Sequence, residues 1–460
     1  MLQLQNKDRS VLNGRSGFGF LLLCTAPMFF TCNPKDMPTT PTVDARAVTA
    51  DIQAGIEKHI REKSAASNGY FKIGFSDKEL KLKLVRVHVE YLAALGPNEN
   101  FACVDLADTT GDVYDVDFFM KGPPGNMKVT QTTVHKINGQ PFYAWKQNSD
   151  HRWHQVPVSQ ATNDLLGVIE GKDKFDFTYF VKIPPLPMSS RMWLPIPVSD
   201  EFQIVQELSI TAPGKQTMLN EVQYGNRILM LDLPPSKSKG KVQMRFRVER
   251  KEKSPYEKEL INKELFLSQR QSLGDKENFK QIVDEVLKGK EGVLVRARAI
   301  FDHVIDKMSY KKVGLGWGKG DEIYACDTQT GNCSDFHAYF IALSRAANIP
   351  ARFAVGASIP SSRNEGGIGG YHCWAEFYAE GKWWPVDISE ADKYSALSTY
   401  YFGHHPANRI ELSRGRDLEP VPGPTFGPIN FLAYPVLEID GKPKRIKPKF
   451  SFARLSTLAD

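Results

Sequence analysis

Cysteine is scarce in this chain, with six residues among 460. They are too few and too scattered for a disulfide scaffold. No segment beyond residue 32 offers about 18 continuous apolar residues, so none reads as a membrane-spanning helix. The net charge is only +6, from 59 basic and 53 acidic residues. Without a strongly basic stripe, no nucleic-acid partner is expected. Neither an internal repeat nor a long low-complexity segment is present. What remains is ordinary globular composition, 41% hydrophobic and 24% charged. The 29 prolines and 35 glycines favour turns and short strands over long helices. A chain of this length exceeds one hydrophobic core and is expected to hold about two to four domains.

The N-terminus reads as a secretory signal peptide. Lys7, Arg9 and Arg15 precede an apolar run from Gly17 to Cys32, and the polar, Pro/Thr-rich stretch NPKDMPTTPT follows. Thr25, Pro27 and Thr31 interrupt the run too often for a comfortable membrane span. Export to the periplasm or the outer face of a bacterial envelope is expected. Cys32 stands where a bacterial lipoprotein carries its lipidated cysteine, although Phe29-Phe30-Thr31 departs from the small residues such a site prefers. A membrane tether through Cys32 is therefore an open alternative to cleavage. Four cysteines lie beyond it: Cys103, Cys326, Cys333 and Cys373. If Cys333 stays free, Cys326 and Cys373 either pair or remain buried thiols.

The rest divides by pattern into α+β units. Residues 48–160 read as a small helix-plus-sheet module, cystatin-like in outline: Ile52, Ile56 and Ile60 fall at helical spacing, and strand-like runs follow. Asn138-Gly139 marks a hairpin turn. His135, His151 and His154 lack a regular ligand spacing, so no metal is expected there. Residues 175–252 alternate short strands with Pro, Gly and Ser turns and predict a β-sandwich-like domain. The charged stretch 253–285 reads as a linker. From 286 to 460, amphipathic helices, a glycine-rich loop, a helix from Cys333, and a hairpin turning at Glu380-Gly381 are predicted. The basic run Lys442, Lys444, Arg445, Lys447 and Lys449 reads as a solvated strand edge.

Three residues in this last part carry chemistry. Cys333 follows Gly331-Asn332 at the start of a helix, where the macrodipole and unpaired amides favour a thiolate. Such a site lowers a thiol from about 8.5 to between roughly 3.5 and 7.5. His372 and Trp374 share one strand face by the period of two. A two-residue turn at Glu380-Gly381 sets Trp374 opposite Asp387, with His372 diagonal to Asp387 on the same face. A carboxylate orienting an imidazole beside a thiol is the arrangement for nucleophilic acyl chemistry. His337, one turn after Cys333, competes as partner but points back along the helix. Grouping Cys326, Cys333, His337, His372 and Cys373 around a metal fits no common zinc spacing, and no metal or other cofactor is expected.

The stretches GNCSDFHAYFIALSRAANIPARFAVG, YHCWAEFY and WWPVDIS resemble, in that order, the core of the transglutaminase-like superfamily. The resemblance spans roughly residues 290–400. It implies a papain-like core with Cys333 as nucleophile, His372 as acid/base and Asp387 as orienting carboxylate. It further implies attack on a peptide or amide carbonyl of a protein or peptide substrate, with the thioester passing to water or to an amine. A non-catalytic binding module is the reading from a different class. The Cys333 amide is expected as one oxyanion donor, with Trp317 or Tyr324 as candidates for a second, and Trp374 as a wall beside His372. The glycine-rich loop before Tyr371 has the composition of a lid or of a plain exposed loop.

Overall fold

In the computed structural model, residues 45–455 are described, apart from 76, 89–92, 97, 124, 148–152, 158–167, 170, 261, 269–275, 313–314 and 394–397. The expected leader with Cys32, and His151, lie outside the described residues, as does the side chain of His154.

The N-terminal part is a helix on a seven-stranded antiparallel sheet. Helix α1 (Ala45–Ala65) precedes β1 (Phe71–Phe75), β2 (Lys78–Val87), β3 (Ala93–Gly96), β4 (Glu99–Asp108), β5 (Val113–Lys121), β6 (Lys128–Ile137) and β7 (Gln140–Pro141). Ile52, Ile56 and Ile60 of α1 bury against Ala102, Val104, Leu106, Val116 and Phe118. Asn138 and Gly139 both take positive φ, 49° and 83°, and Ile137 pairs with Gln140. That is the hairpin which Asn-Gly specifies. A short hairpin, β8 (Tyr143–Gln147) with β9 (Trp153–Pro157), follows.

Next come β10 (Lys172–Ile183), β11 (Ser190–Ile196), β12 (Gln203–Thr211), β13 (Lys215–Glu221), β14 (Asn226–Leu233) and β15 (Gly240–Lys251). They join two five-stranded antiparallel sheets that share one apolar core, including Phe177, Phe246, Leu194 and Leu231. The stretch 253–285, expected on its charge as a linker, opens buried. Lys253 is 0% exposed, where its ammonium meets Glu376, and Tyr256 donates to Glu376 Oε2 at 3.0 Å. Paired charge makes such burial tolerable. Tyr256 and Glu257 form β16, an edge strand of the next sheet.

Beyond α2 (Lys263–Leu267) lie α3 (Lys276–Val286), α4 (Val293–Lys307), β17 (Ser309–Tyr310), α5 (Glu322–Thr328), β18 (Thr330–Gly331) and α6 (Cys333–Ala346). The chain continues through β19 (Ala351–Ser358), β20 (Glu365–Ile368), β21 (His372–Ala379), β22 (Lys382–Val386), α7 (Ile388–Lys393) and β23 (Arg409–Arg414). The sheet runs β16-β22-β21-β19-β23. Helix α6 is buried along nearly its whole length and packs on β21 and β19. Glu380 and Gly381 take φ of 51° and 78°, and Ala379 pairs with Lys382. The hairpin register is the one that the two-residue turn predicts.

The chain returns at its end to the middle sheets. Strands β24 (Val436–Ile439) and β25 (Lys442–Arg445) extend β11, while β26 (Lys449–Arg454) lies between β10 and β20. Strand β25, with Lys442, Lys444 and Arg445, is an exposed edge. Strand β20 belongs to the segment with lid-like composition. Its pairing with β26 ties that segment down as an edge strand.

Candidate active site

Cys333 opens α6 for a local reason. Asn332 Oδ1 accepts the Ser334 N–H at 3.0 Å, and Asp335 Oδ2 reaches back to accept the Asn332 N–H at 2.9 Å. This capping box satisfies two otherwise orphan donors. Asp335 also accepts the Gly318 N–H at 2.7 Å and the Gly320 N–H at 3.0 Å. The glycine-rich loop is thus tied to the start of α6. Gly331 leaves the space, since a Cβ there would lie 2.6 Å from Asp335 Oδ2. The Tyr371 hydroxyl completes the network. It accepts from Asn332 Nδ2 at 3.2 Å, lies 3.2 Å from Ser334 Oγ, and donates to the Gly318 carbonyl at 3.3 Å.

On β21, His372 Nε2 lies 2.6 Å from Asp387 Oδ2. Asp387 is 0% exposed, and its Oδ1 accepts from Ser389 Oγ and the Glu390 N–H, both at 3.1 Å. Arg409 Nη2 stands 3.5 Å from Oδ2. His337 does not take the place of His372. Its Nε2 accepts the Ile388 N–H at 3.0 Å, which leaves the proton on Nδ1 for the Cys333 carbonyl at 2.6 Å. It fastens α6 to the segment after Asp387, and burial lowers its pKa.

Charge is organised around the thiol. Cys333 is held well below the ordinary thiol range, first by a hydrogen bond from Cys373 and next, against burial, by the His372 hydrogen bond and charge. Burial opposes protonation of His372, yet the Asp387 charge and hydrogen bond, aided by Cys333, raise its pKa to about 10. Burial likewise opposes ionisation of Asp387, and His372, His337 and Arg409 overcome it. These directions favour thiolate, imidazolium and carboxylate in a row. With Nε2 committed to Asp387, Nδ1 is the ring nitrogen left for Cys333.

None of the four described cysteines is in a disulfide, so the pairing of Cys326 with Cys373 gives way to a half-buried Cys326 and a buried Cys373. Cys326 hydrogen-bonds with Tyr339. Cys373 is raised by burial and by the neighbouring Cys333, as a thiol donor to a thiolate should be. The five-residue metal grouping does not form, because both ring nitrogens of His337 face backbone groups.

The auxiliary residues separate. Trp317 rides on the tied loop, next to Gly318, with Lys312 Nζ 5.7 Å from its ring centre. Tyr324 lies on α5 and packs its ring on Gly316. Trp374 sits beside His372, ring centres 6.2 Å apart, but is 0% exposed. It backs the imidazole from inside the core and is no wall of an open cleft. Tyr310 is a residue the sequence reading passes over. Its hydroxyl takes a hydrogen bond from the Cys333 backbone, at the donor expected for an oxyanion. Asp335, Tyr371 and Arg409 were also without a sequence signal, save the capping-box spacing Asn332-x-x-Asp335.

Residues 280–388 match the family model described as the transglutaminase-like superfamily core. A domain of that superfamily is present in this chain. An uncharacterised protein of Haemophilus influenzae is 27% identical over 318 residues, covering 59% of this chain and 86% of that protein. A structure from Cytophaga hutchinsonii, provisionally assigned as a cysteine protease, is 15% identical with a TM-score of 0.45, covering 63% of this chain and 93% of its own. The periplasmic domain of TgpA from Pseudomonas aeruginosa is 15% identical with a TM-score of 0.27, covering 64% and 92%.

Proposed function

From a transglutaminase-like core with Cys333, His372 and Asp387 in one row, we propose a cysteine-dependent enzyme that hydrolyses peptide or amide bonds in a protein or peptide substrate. The observation that carries this reading is the place of Cys333 at the α6 N-terminus, beside a His372 whose Nε2 is fixed 2.6 Å from Asp387, a setting that lowers the thiol. Cys333 Sγ attacks the carbonyl carbon, and the C=O electron pair moves onto oxygen. The Cys333 N–H holds that oxyanion once the Tyr310 hydroxyl moves aside. As the C–N bond breaks, the imidazolium of His372 gives its proton to the departing amine. Neutral His372 then takes a proton from water, whose oxygen attacks the thioester carbon. The C–S bond breaks, the acid leaves, and the thiolate–imidazolium pair is restored. Asp387 fixes the ring tautomer throughout.

Lys7, Arg9 and Arg15 before the apolar run to Cys32 support export, with Cys32 as the point of any lipid tether. Residues 48–160 form a cystatin-like module and residues 175–252 a β-sandwich-like domain in this reading.

The deciding experiment incubates the full chain, and Cys333→Ala, with a panel of unfolded proteins and a labelled primary amine. New chain termini or free carboxylate without label, lost in Cys333→Ala, is the expected result. Amine incorporation would make it a transamidase. Neither product over the whole panel would contradict the enzymatic reading and leave the binding module.

A further inference from the structure

The N-terminal sheet carries a second cluster of chemically competent side chains. Strands β4 and β5 pair Cys103 with Asp117 and Asp105 with Asp115. These residues alternate with Ala102, Val104, Val116 and Phe118, which face the core with α1, so they project from the opposite face. A bulge then brings in a third strand. Val134 pairs with Val116 and Lys136 with Asp115, leaving His135 as the extra residue of β6. Bulges re-aim side chains in this way. Cys103 Sγ lies 2.9 Å from Asp117 Oδ1, and His135 Nδ1 lies 3.5 Å from the same oxygen and 4.0 Å from Asp115 Oδ1. One ligand atom from each of the four residues fits within a mutual 4.8 Å.

Their environment points to a ligand. Asp117 is 0% and Asp115 4% exposed. Asp115 Oδ2 accepts from Lys136 at 2.8 Å, but Oδ1, aimed into the cluster, takes no hydrogen bond. A buried polar atom in that state is destabilising unless something else satisfies it. We propose that Cys103, Asp115, Asp117 and His135 bind a late first-row divalent cation, with Zn2+ the best match. One thiolate, one imidazole and two carboxylates are the donor types zinc takes in four-coordinate sites. Charge closes as well: the thiolate and Asp117 neutralise the ion, and Lys136 already neutralises Asp115. On binding, the Cys103 proton leaves to solvent. Cys103 and His135 each keep 7% of their surface exposed, which gives the ion a way in. The adjoining Asp105 is held by Arg298 Nη1 of α4 at 2.7 Å and lies 3.0 Å from His88 Nε2. The ion would therefore sit next to the contact between the N-terminal sheet and the catalytic core.

The test uses the full chain as Cys333→Ala, which removes the active-site thiolate as a competing ligand. Chelator-competition titration with Zn2+ is expected to give one ion per chain, and a raised melting temperature. Co2+ is expected to show a thiolate charge-transfer band. Adding Cys103→Ser should abolish that band, and Cys103→Ser or His135→Gln should weaken Zn2+ binding beyond the ~10–100-fold that loss of an outer-shell partner costs. Absence of stoichiometric binding, or a Co2+ band and Zn2+ affinity unchanged in both variants, would overturn the site. Should Cys103→Ser fail to fold, the parent's Co2+ spectrum and His135→Gln decide alone.

Discussion

His372 divides its two nitrogens between two partners, and each makes a separate demand. Asp387 is buried and accepts on both oxygens, from His372 at 2.6 Å and from the Glu390 N–H at 3.1 Å, so an amide there would set its N–H against one donor or the other. Asp387→Asn is expected to lower kcat/KM on the order of 10⁴-fold with little change in KM, read on any substrate the panel yields. Cys373 contributes differently, as a thiol donor to the Cys333 thiolate. Cys373→Ala should move the alkylation profile of Cys333 to higher pH while leaving the fold intact; an unmoved profile would remove Cys373 from the site. The pair also links stability to pH. The His372 pKa is raised to about 10, so its contribution is complete below about 6.5 and is lost as pH rises toward 10. Asp387 is depressed, so its contribution is present above about 3.9 and fades as pH falls. The urea midpoint gap between wild type and His372→Gln should accordingly close above pH ~10.

At the scale of elements, Asp335 joins a helix cap to a loop. It accepts three backbone N–H groups, from Asn332, Gly318 and Gly320. Asp335→Ala should cost about 2–4 kcal/mol, from the lost cap and from charge-assisted hydrogen bonds. Chemical denaturation measures it, and a loss under about 0.5 kcal/mol would show the loop held by other means. Elements are also where the sequence is most readable. The turn at Glu380-Gly381 dictates the hairpin register, and that register brings His372 to Asp387. Asn332 and the run after it likewise mark where α6 begins. Such features are legible because neighbours in the chain determine them. Tyr310 and Arg409 are not, since they meet Cys333 and Asp387 only through tertiary packing. Cys103, Asp117 and His135 escape for the same reason, being joined across three strands and a bulge.

At the scale of the whole molecule, sequence order and spatial order part company. The charge of residues 253–285 reads as a helical or irregular linker, yet Lys253 is buried against Glu376 and Tyr256 pairs into the sheet that carries His372. The closing strands β24 to β26 are too far from β10 and β11 in sequence for local pattern to show their pairing. They place Leu437, Phe450 and Phe452 in the core of the middle sheets. Burying three such side chains contributes about 5–9 kcal/mol, comparable with the total stability of a typical domain. Ending the chain at residue 435 should therefore abolish the cooperative thermal transition. A sharp transition in that truncation would show that the transglutaminase-like core folds without the returning strands.

The chemistry proposed for this protein depends on Cys333 resting as a thiolate paired with His372. The pH dependence of Cys333 alkylation, followed by peptide mass spectrometry in wild type and His372→Ala, reads that state. A fast reaction that persists into mild acid in wild type, and moves toward an ordinary thiol profile in His372→Ala, is the expected result. Slow labelling with an ordinary thiol profile in wild type, or identical profiles in the two proteins, would contradict the claim.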